Sequence, residues 1–464
     1  MIESLLGIFT LTDLVDLVII VIVVLALNLM AGYAGIPNFG MAVFVFIGAF
    51  SLAGIGTRIA LLLASYAYPD FIDILNRYTF IALKYGGDLR DLVVYGVASD
   101  PLVNRVAAPE LEATISQNLV LSLILFVTVF GLAIIMGALT GAIASFAAIR
   151  LREDYLAIVL LAFSEMMVTV VFDQTDVLAG GPNGAYVVRP WPKILKDSVR
   201  PITPAGISPD LTIALIVSLL ILLMCLFYGE RIANSPMGRM LRAMRDDDLV
   251  ISVYGRDVPS TRLKIMAMGA AIASIAGVIY ATIHSPVKAL DYDRFSWTFT
   301  PWAMMILGGM ANNWGVIVGA IIIYVGRRLI YYYLPGIFLI LTPTLEAISK
   351  LALPLILLAI MLVAVLLALR LRMKNDYRGK LATYTLTVLA GILIMVAVLA
   401  ISAEQLMYNI DIVRAILPNV FVGIVILLVL YLRPQGIIPE KPSRTLGRKE
   451  LEEILARKLG ESES

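Results

Sequence analysis

Long apolar runs recur along this chain, and they limit its fold more than any other feature. A helix crosses the ~30 Å hydrocarbon core of a bilayer with about 20 apolar residues, and its backbone groups must then be satisfied within the segment. Such runs mark about eleven spans, at residues 14–31, 38–56, 118–149, 154–172, 210–228, 264–284, 297–310, 315–334, 351–370, 382–402 and 414–432. The expected fold is an all-α integral membrane protein, a polytopic helical bundle. Composition agrees: 60% of the 464 residues are hydrophobic and 15% are charged, with a mean hydropathy of +0.92. The 118–149 run is too long for one straight crossing, so Gly131, Gly137 and Gly141 are expected to break or tilt it.

Charge sets the sides. Lys and Arg gather in the Arg150–Arg152 turn, the 229–263 segment, the 370–380 turn and the tail from Arg433. All four fall on one side if the spans alternate, and the positive-inside rule makes that side cytoplasmic. Segment 57–117, where acids outnumber bases, falls outside with loop 173–209. The N-terminus is then outside and the C-terminus inside the cell membrane. The start, MIESLLGIFTLTD, lacks a basic n-region and a small-residue cleavage site, so a cleaved signal peptide is not expected. Tyr66, Tyr68, Tyr78 and Tyr85 suit interfacial helices in 57–117. Gly180 to Pro192 reads as turns, and alternating charge from Arg448 to Leu459 reads as an exposed helix.

Several function classes are excluded. Net charge is +2, so no global field attracts nucleic acid. No GxxxxGK[ST] loop is present, so no ATP site is expected in this chain. One Cys (Cys225) and one His (His284) leave no disulfide within the chain, no expected metal site and no Ser/His/Asp set. Cys225 reads as a packed hydrophobe and His284 as a surface or interface residue. No catalytic residues and no cofactor are expected, and the chain does not read as an enzyme.

Two features carry function. The first is the cytoplasmic segment SPMGRMLRAMRDDDLVISVYGRDV, Ser235 to Val258. Met240, Leu241, Met244, Leu249 and Val253 form an apolar stripe on one or two short helices, opposed by Arg239, Arg242, Arg245, Asp246, Asp247 and Asp248. Gly238 permits close approach and Gly255 ends the helix. A membrane protein with such a loop and no nucleotide motif reads as the membrane half of a pump or importer; the bland reading is a solvated basic loop. The second is a pair of uncharged Gly-rich turns, GYAGIPNFG (Gly32 to Gly40) and GGMANNWG (Gly308 to Gly315). They either flank a transport path or are tight helical hairpins. The path candidates are Gly32, Gly35, Asn38, Gly40, Gly308, Gly309, Asn312, Asn313 and Trp314, with Glu165 from mid-span. Arg327 and Arg328 are expected to snorkel to the outer interface.

At these motifs the chain resembles LivM/LivH-type permeases of branched-chain amino-acid ABC importers, LivM more closely. Four blocks carry the resemblance in order: Leu27 to Phe50; Arg150 to Met167 followed by GGPNGAYVV; the Ser235 to Val258 loop with its trailing span; and Met304 to Ala320. The closing LRPQGII, Leu432 to Ile438, also matches. Asn38 and Met41 stand where such permeases commonly carry Ser and His or Gln; segment 57–117 is longer than usual; and 335–405 looks like an inserted two-span hairpin. The resemblance implies an importer in which ATP-binding cassette subunits bind the ATP and grip the 229–263 coupling loop. It also implies a second permease subunit, LivH-like or a copy of this chain, and an extracytoplasmic solute-binding protein. The implied solutes are branched-chain or related amino acids; urea or short amides are the alternative within the family, and a stand-alone secondary transporter the alternative outside it. Its segments are then 1–56, 57–117, 118–228, 229–263, 264–334, 335–405, 406–433 and 434–464.

Overall fold

A computed structural model describes residues 9–76, 93, 100–150, 153–173, 183–204, 206–253, 255–349, 410–432 and 435–440. The described chain is helical. Its only pairing of extended backbone is an isolated antiparallel bridge between Ala185 and Val287. Six described helical stretches are long and apolar enough to cross a membrane: Leu11–Tyr33, Met41–Ala67, Leu119–Phe146, Pro209–Asn234, Val258–Ile283 and Asn313–Tyr333. The expected spans at 351–370 and 382–402, and the expected helix after Arg448, lie outside the described residues.

The helices are α1 (Leu11–Leu27), α2 (Met41–Phe50), α3 (Thr57–Ala67), α4 (Phe71–Asn76), α5 (Pro101–Gln117), α6 (Leu119–Arg150), α7 (Glu153–Asp173) and α8 (Lys193–Val199). They continue with α9 (Pro209–Asn234), α10 (Pro236–Asp246), α11 (Asp248–Val253), α12 (Val258–Ile283), α13 (Thr300–Gly308), α14 (Asn313–Ser349) and α15 (Ile410–Leu432). Contacts divide the chain into two units. One holds Thr10–Ile321 with Leu428–Ser464; the other holds Met1–Phe9 with Ile322–Leu427.

In the larger unit, α1 is apolar on every face from Leu17 onward and is buried along most of its length. Such a helix belongs inside a bundle. Thr10 and Asp13 start it with a reciprocal capping box. The apolar window of the first stretch is 83% buried, against 22% for that of α9. Helix α9 turns Leu220, Leu223, Met224 and Phe227 outward, and α6 exposes Val127, Ile135, Leu139 and Phe146. Exposed apolar faces on spanning helices fit a hydrocarbon solvent.

Helix α12 is the hub, packing along α6, α2 and α1. Small residues let the backbones approach, as membrane helices require. A Cβ on Gly277 would lie 1.9 Å from the Val45 carbonyl oxygen, and one on Gly48 would lie 1.8 Å from that of Ser274. The Ser274 hydroxyl donates to the carbonyl oxygens of Phe44 and Ala270. Of the expected break or tilt in 118–149, the break is absent: α6 is one helix of 32 residues. Gly137 and Gly141 instead seat it against Ser274, Ala270 and Met266.

The expected outer segments pack together. Asn104 donates to the Tyr186 carbonyl and accepts from the Tyr186 N–H. Buried Trp191 packs with Val199 and Ile213. Lys196 lies 2.8 Å from both Glu112 and Asp210. Burial pulls the pKa of Lys196 down, but the two carboxylates outweigh it and hold the ammonium above its ordinary range. His284 is not a lone surface residue: its Nε2 lies 2.8 Å from Asp16 Oδ1, and its ring lies against Tyr280.

Two boundaries differ from expectation. The 297–310 segment is a π turn, Phe295–Phe299, followed by the nine residues of α13. The helix expected to stop near 334 runs on to Ser349, so the first residues of the expected insertion continue α14. In the smaller unit, Gly326 approaches Phe421 and the Arg327 side chain donates to Asn419. The Arg328 guanidinium lies 4.9 Å from the Tyr332 ring centroid.

Candidate functional site

The two Gly-rich turns, far apart in the sequence, meet in one place. Helix α1 does not end at Leu27 but widens into a π turn, Asn28–Tyr33. Such turns are common at functional sites. The turn closes through Ile36 N–H to the Met30 carbonyl, with Gly35 at φ +70°. Asn28, fully buried, is the hinge between the turns. Its Nδ2 donates to Asn313 Oδ1 at 3.0 Å, and its Oδ1 accepts the Ala311 N–H at 2.9 Å. Ala311 is held at φ +57°, an unusual backbone for a residue with a Cβ. Asn313 then donates to Glu230 near the end of α9 at 3.2 Å. Sequence reading missed Asn28 because it looks like one polar residue in an apolar run.

Asn312 caps α14, accepting from the N–H groups of Trp314 and Gly315. Gly308 and Gly315 bring α13 and α14 together, since a Cβ on Gly308 would lie 2.1 Å from the Gly315 oxygen. Asn38 shapes the first turn. Its Oδ1 accepts the Gly40 N–H at 2.9 Å, and its carbonyl accepts Trp302 Nε1 at 2.9 Å. Phe39 stacks on the same Trp302 ring, with centroids 4.7 Å apart. Gly40 lets the chain approach α7 at Leu160.

Helix α10 lies against this junction. Ser235 caps it, accepting the Gly238 N–H, and Pro236 occupies its first turn. Gly238 fits beneath the end of α9, where a Cβ would meet the Ile232 and Ala233 carbonyls at 2.3 and 2.5 Å. Leu241 and Met244 are buried, while Val253 is 85% exposed, so the apolar stripe stops before the end of α11. Arg245 donates to the Gly32 carbonyl oxygen at 2.8 Å, directly over Gly35. The Arg242 guanidinium lies 5.4 Å from the Tyr33 ring centroid. Glu440 reaches both arginines, with Oε1 2.6 Å from Arg242 Nε and Oε2 2.8 Å from Arg245 Nη2. Arg239, Asp246 and Asp247 face outward, exposed. Asp248 opens α11, and Gly255 follows it at φ +72°.

The structure thus joins Gly32, Gly35, Gly308, Gly309, Asn312 and Asn313 with α10. Trp314 is 59% exposed, in a surface groove with Phe227, Glu230, Arg231 and Asn234. Glu165 is not brought to this junction. Its side chain is 44% exposed and lies 3.6 Å from Arg294. Glu165 lies on α7, and position along a helix does not say which way a side chain faces.

The family described as "Branched-chain amino acid transport system / permease component" matches residues 9–366, running into the segment read as an insertion. The "Probable branched-chain amino acid transport permease protein LivM" of Methanocaldococcus jannaschii is 32% identical over 309 residues, 67% of this chain and 77% of that protein. The "High-affinity branched-chain amino acid transport system permease protein LivM" of Salmonella typhimurium is 29% identical over 218 residues, 44% of this chain and 51% of that protein. The protein of the same name from Escherichia coli is 30% identical over 218 residues, again 44% of this chain and 51% of that protein. The chain therefore spans about half the length of the last two. No solved structure matches. With its apolar helices, the chain is a multi-pass membrane protein, and it belongs to the family of permease components of branched-chain amino acid transport systems.

Proposed function

We propose that this chain is the membrane-spanning permease subunit of an ABC importer, moving branched-chain or related amino acids inward. ATP is hydrolysed by separate ATP-binding cassette subunits that grip α10. A second permease subunit completes the path, and a solute-binding protein delivers solute to the outer face. About eleven spans, with the N-terminus outside and the C-terminus inside, complete this reading. The observation that carries it is the placement of α10. It is an exposed, capped amphipathic helix bonded through Arg245 to the first Gly-rich turn. A partner that moves α10 pulls on the junction of both turns.

The outward residues Arg239, Asp246 and Asp247 are the proposed contacts with the ATPase. Such exposed charges act as rim pairs, each contributing about 0–1 kcal/mol. Single changes therefore cost little, while reversing two together places like charges opposite each other. Arg239→Glu combined with Asp246→Lys is expected to leave the permease inserted and folded but to abolish co-purification of the ATPase and solute-stimulated hydrolysis. Normal co-purification and stimulation in the double variant would reject α10 as the docking element.

A further inference from the structure

The chain beyond α15 does not simply leave the bundle. Residues 435–440 lie across the second Gly-rich turn. The N–H groups of Ile437 and Ile438 donate to the Leu307 and Gly308 carbonyls at 2.9 and 3.0 Å. The Asn312 amide donates back to the carbonyls of Ile438 and Pro439 at 3.4 and 3.1 Å. Glycines make room for it: a Cβ on Gly309 would lie 2.2 Å from the Ile438 oxygen, and one on Gly436 would lie 2.5 Å from Gly309. The segment is thus fixed by backbone bonds to the end of α13.

Its other end is one carboxylate. Glu440 gives one oxygen to Arg242 and the other to Arg245, and all three side chains are 25% exposed. The approach to Arg242 Nε is an ion pair rather than an aligned hydrogen bond; the contact with Arg245 is a charge-assisted hydrogen bond. Both are partly withdrawn from water, where such bonds are stronger than surface pairs. Arg245 also holds the Gly32 carbonyl. A continuous link therefore runs from α13 through residues 437–440 and Glu440 to α10, and from Arg245 to the first turn. On α10, Arg242 and Arg245 are the two residues that Glu440 reaches.

We propose that residues 435–440 form a coupling strap, and that Glu440 is a positioning residue that transmits movement of α10 to α13 and the second Gly-rich turn. This rests on α10 being the ATPase-docking helix. A strap that merely stabilised the fold would change melting without changing how much solute moves per ATP. A strap that transmits movement would change the ratio.

The test uses the full complex in proteoliposomes: this chain, its ATPase subunits, the second permease and the binding protein, with radiolabelled leucine as probe. Glu440→Gln keeps the shape and removes the charge. It is expected to retain ATPase co-purification and basal hydrolysis, while uptake per ATP hydrolysed in the assembled fraction falls roughly 5- to 20-fold. Glu440→Asp, too short to reach both arginines, is expected to fall between the two. Wild-type uptake per ATP in Glu440→Gln would overturn the strap. A lowered melting temperature with an unchanged ratio in the assembled fraction would overturn it equally, leaving Glu440 structural. Leucine uptake by the wild-type chain without any ATPase subunit would instead overturn the docking reading, and the strap with it.

Discussion

Gly277→Ala is expected to weaken the bundle severely, although it adds one methyl group. That methyl would lie 1.9 Å from the Val45 carbonyl oxygen, 2.8 Å from the Val45 carbon and 3.1 Å from the Ala49 nitrogen. All three are backbone atoms and cannot swing aside. Helices α2 and α12 must therefore separate at their closest point. The Ser274 hydroxyl bond to the Phe44 carbonyl, at 2.9 Å, lies in the same contact and stretches with it. Overpacking of this kind costs about 1–3 kcal/mol, and more where only backbone can yield. Gly131→Ala is the matched control. It sits within α6 with nothing within 4 Å of an added Cβ. There the change removes a residue about 1 kcal/mol worse than Ala in a helix, so stability holds or rises. Thermal melting of the two purified variants in one detergent checks both: a fall for Gly277→Ala and none for Gly131→Ala. Equal melting would reject the helix packing described.

Asn28→Leu is expected to disconnect the two Gly-rich turns. The Asn28 amide satisfies two buried partners on the second turn, the Ala311 N–H and the Asn313 side-chain oxygen. Leucine fills similar space and satisfies neither. Each buried group left unpaired costs about 1–3 kcal/mol. Ala311 also loses the bond that holds it at φ +57°, so the backbone there is expected to relax. Leucine uptake by the reconstituted complex should then be lost, and the melting temperature should fall. Adding Ala311→Gly, which removes the strain of the left-handed backbone, should recover part of the stability but not the link. Normal uptake in Asn28→Leu would mean that contact between the turns is dispensable.

Much of this was legible in the sequence, for local reasons. Hydropathy marks the long spans because lipid leaves a helix few alternatives. Helix α10 was legible because its cap, proline and apolar stripe all lie within a few residues. Meeting points between distant residues were not. Asn28 and Asn313 are 285 positions apart, Asp16 and His284 are 268 apart, and Arg245 and Glu440 are 195 apart. Nothing in a single chain's periodicity pairs them. The contact of Arg242 and Arg245 with Glu440 was hidden too, because Glu440 reads in sequence as one charge in a polar tail. The glycines of α6 were read as points of break or tilt because their helical cost is local, while the benefit of Gly137 and Gly141, close approach to α12, is tertiary.

The central claim is that this permease moves solute only when a separate ATPase acts on it. The most direct measurement is uptake of radiolabelled leucine into proteoliposomes containing the chain with its second permease and binding protein. Uptake is compared with and without the ATPase subunits, and with ATP or a non-hydrolysable analogue inside. Accumulation against a gradient is expected only when ATPase subunits and hydrolysable ATP are both present. Accumulation driven by an imposed ion gradient, with no ATPase in the membrane, would contradict it.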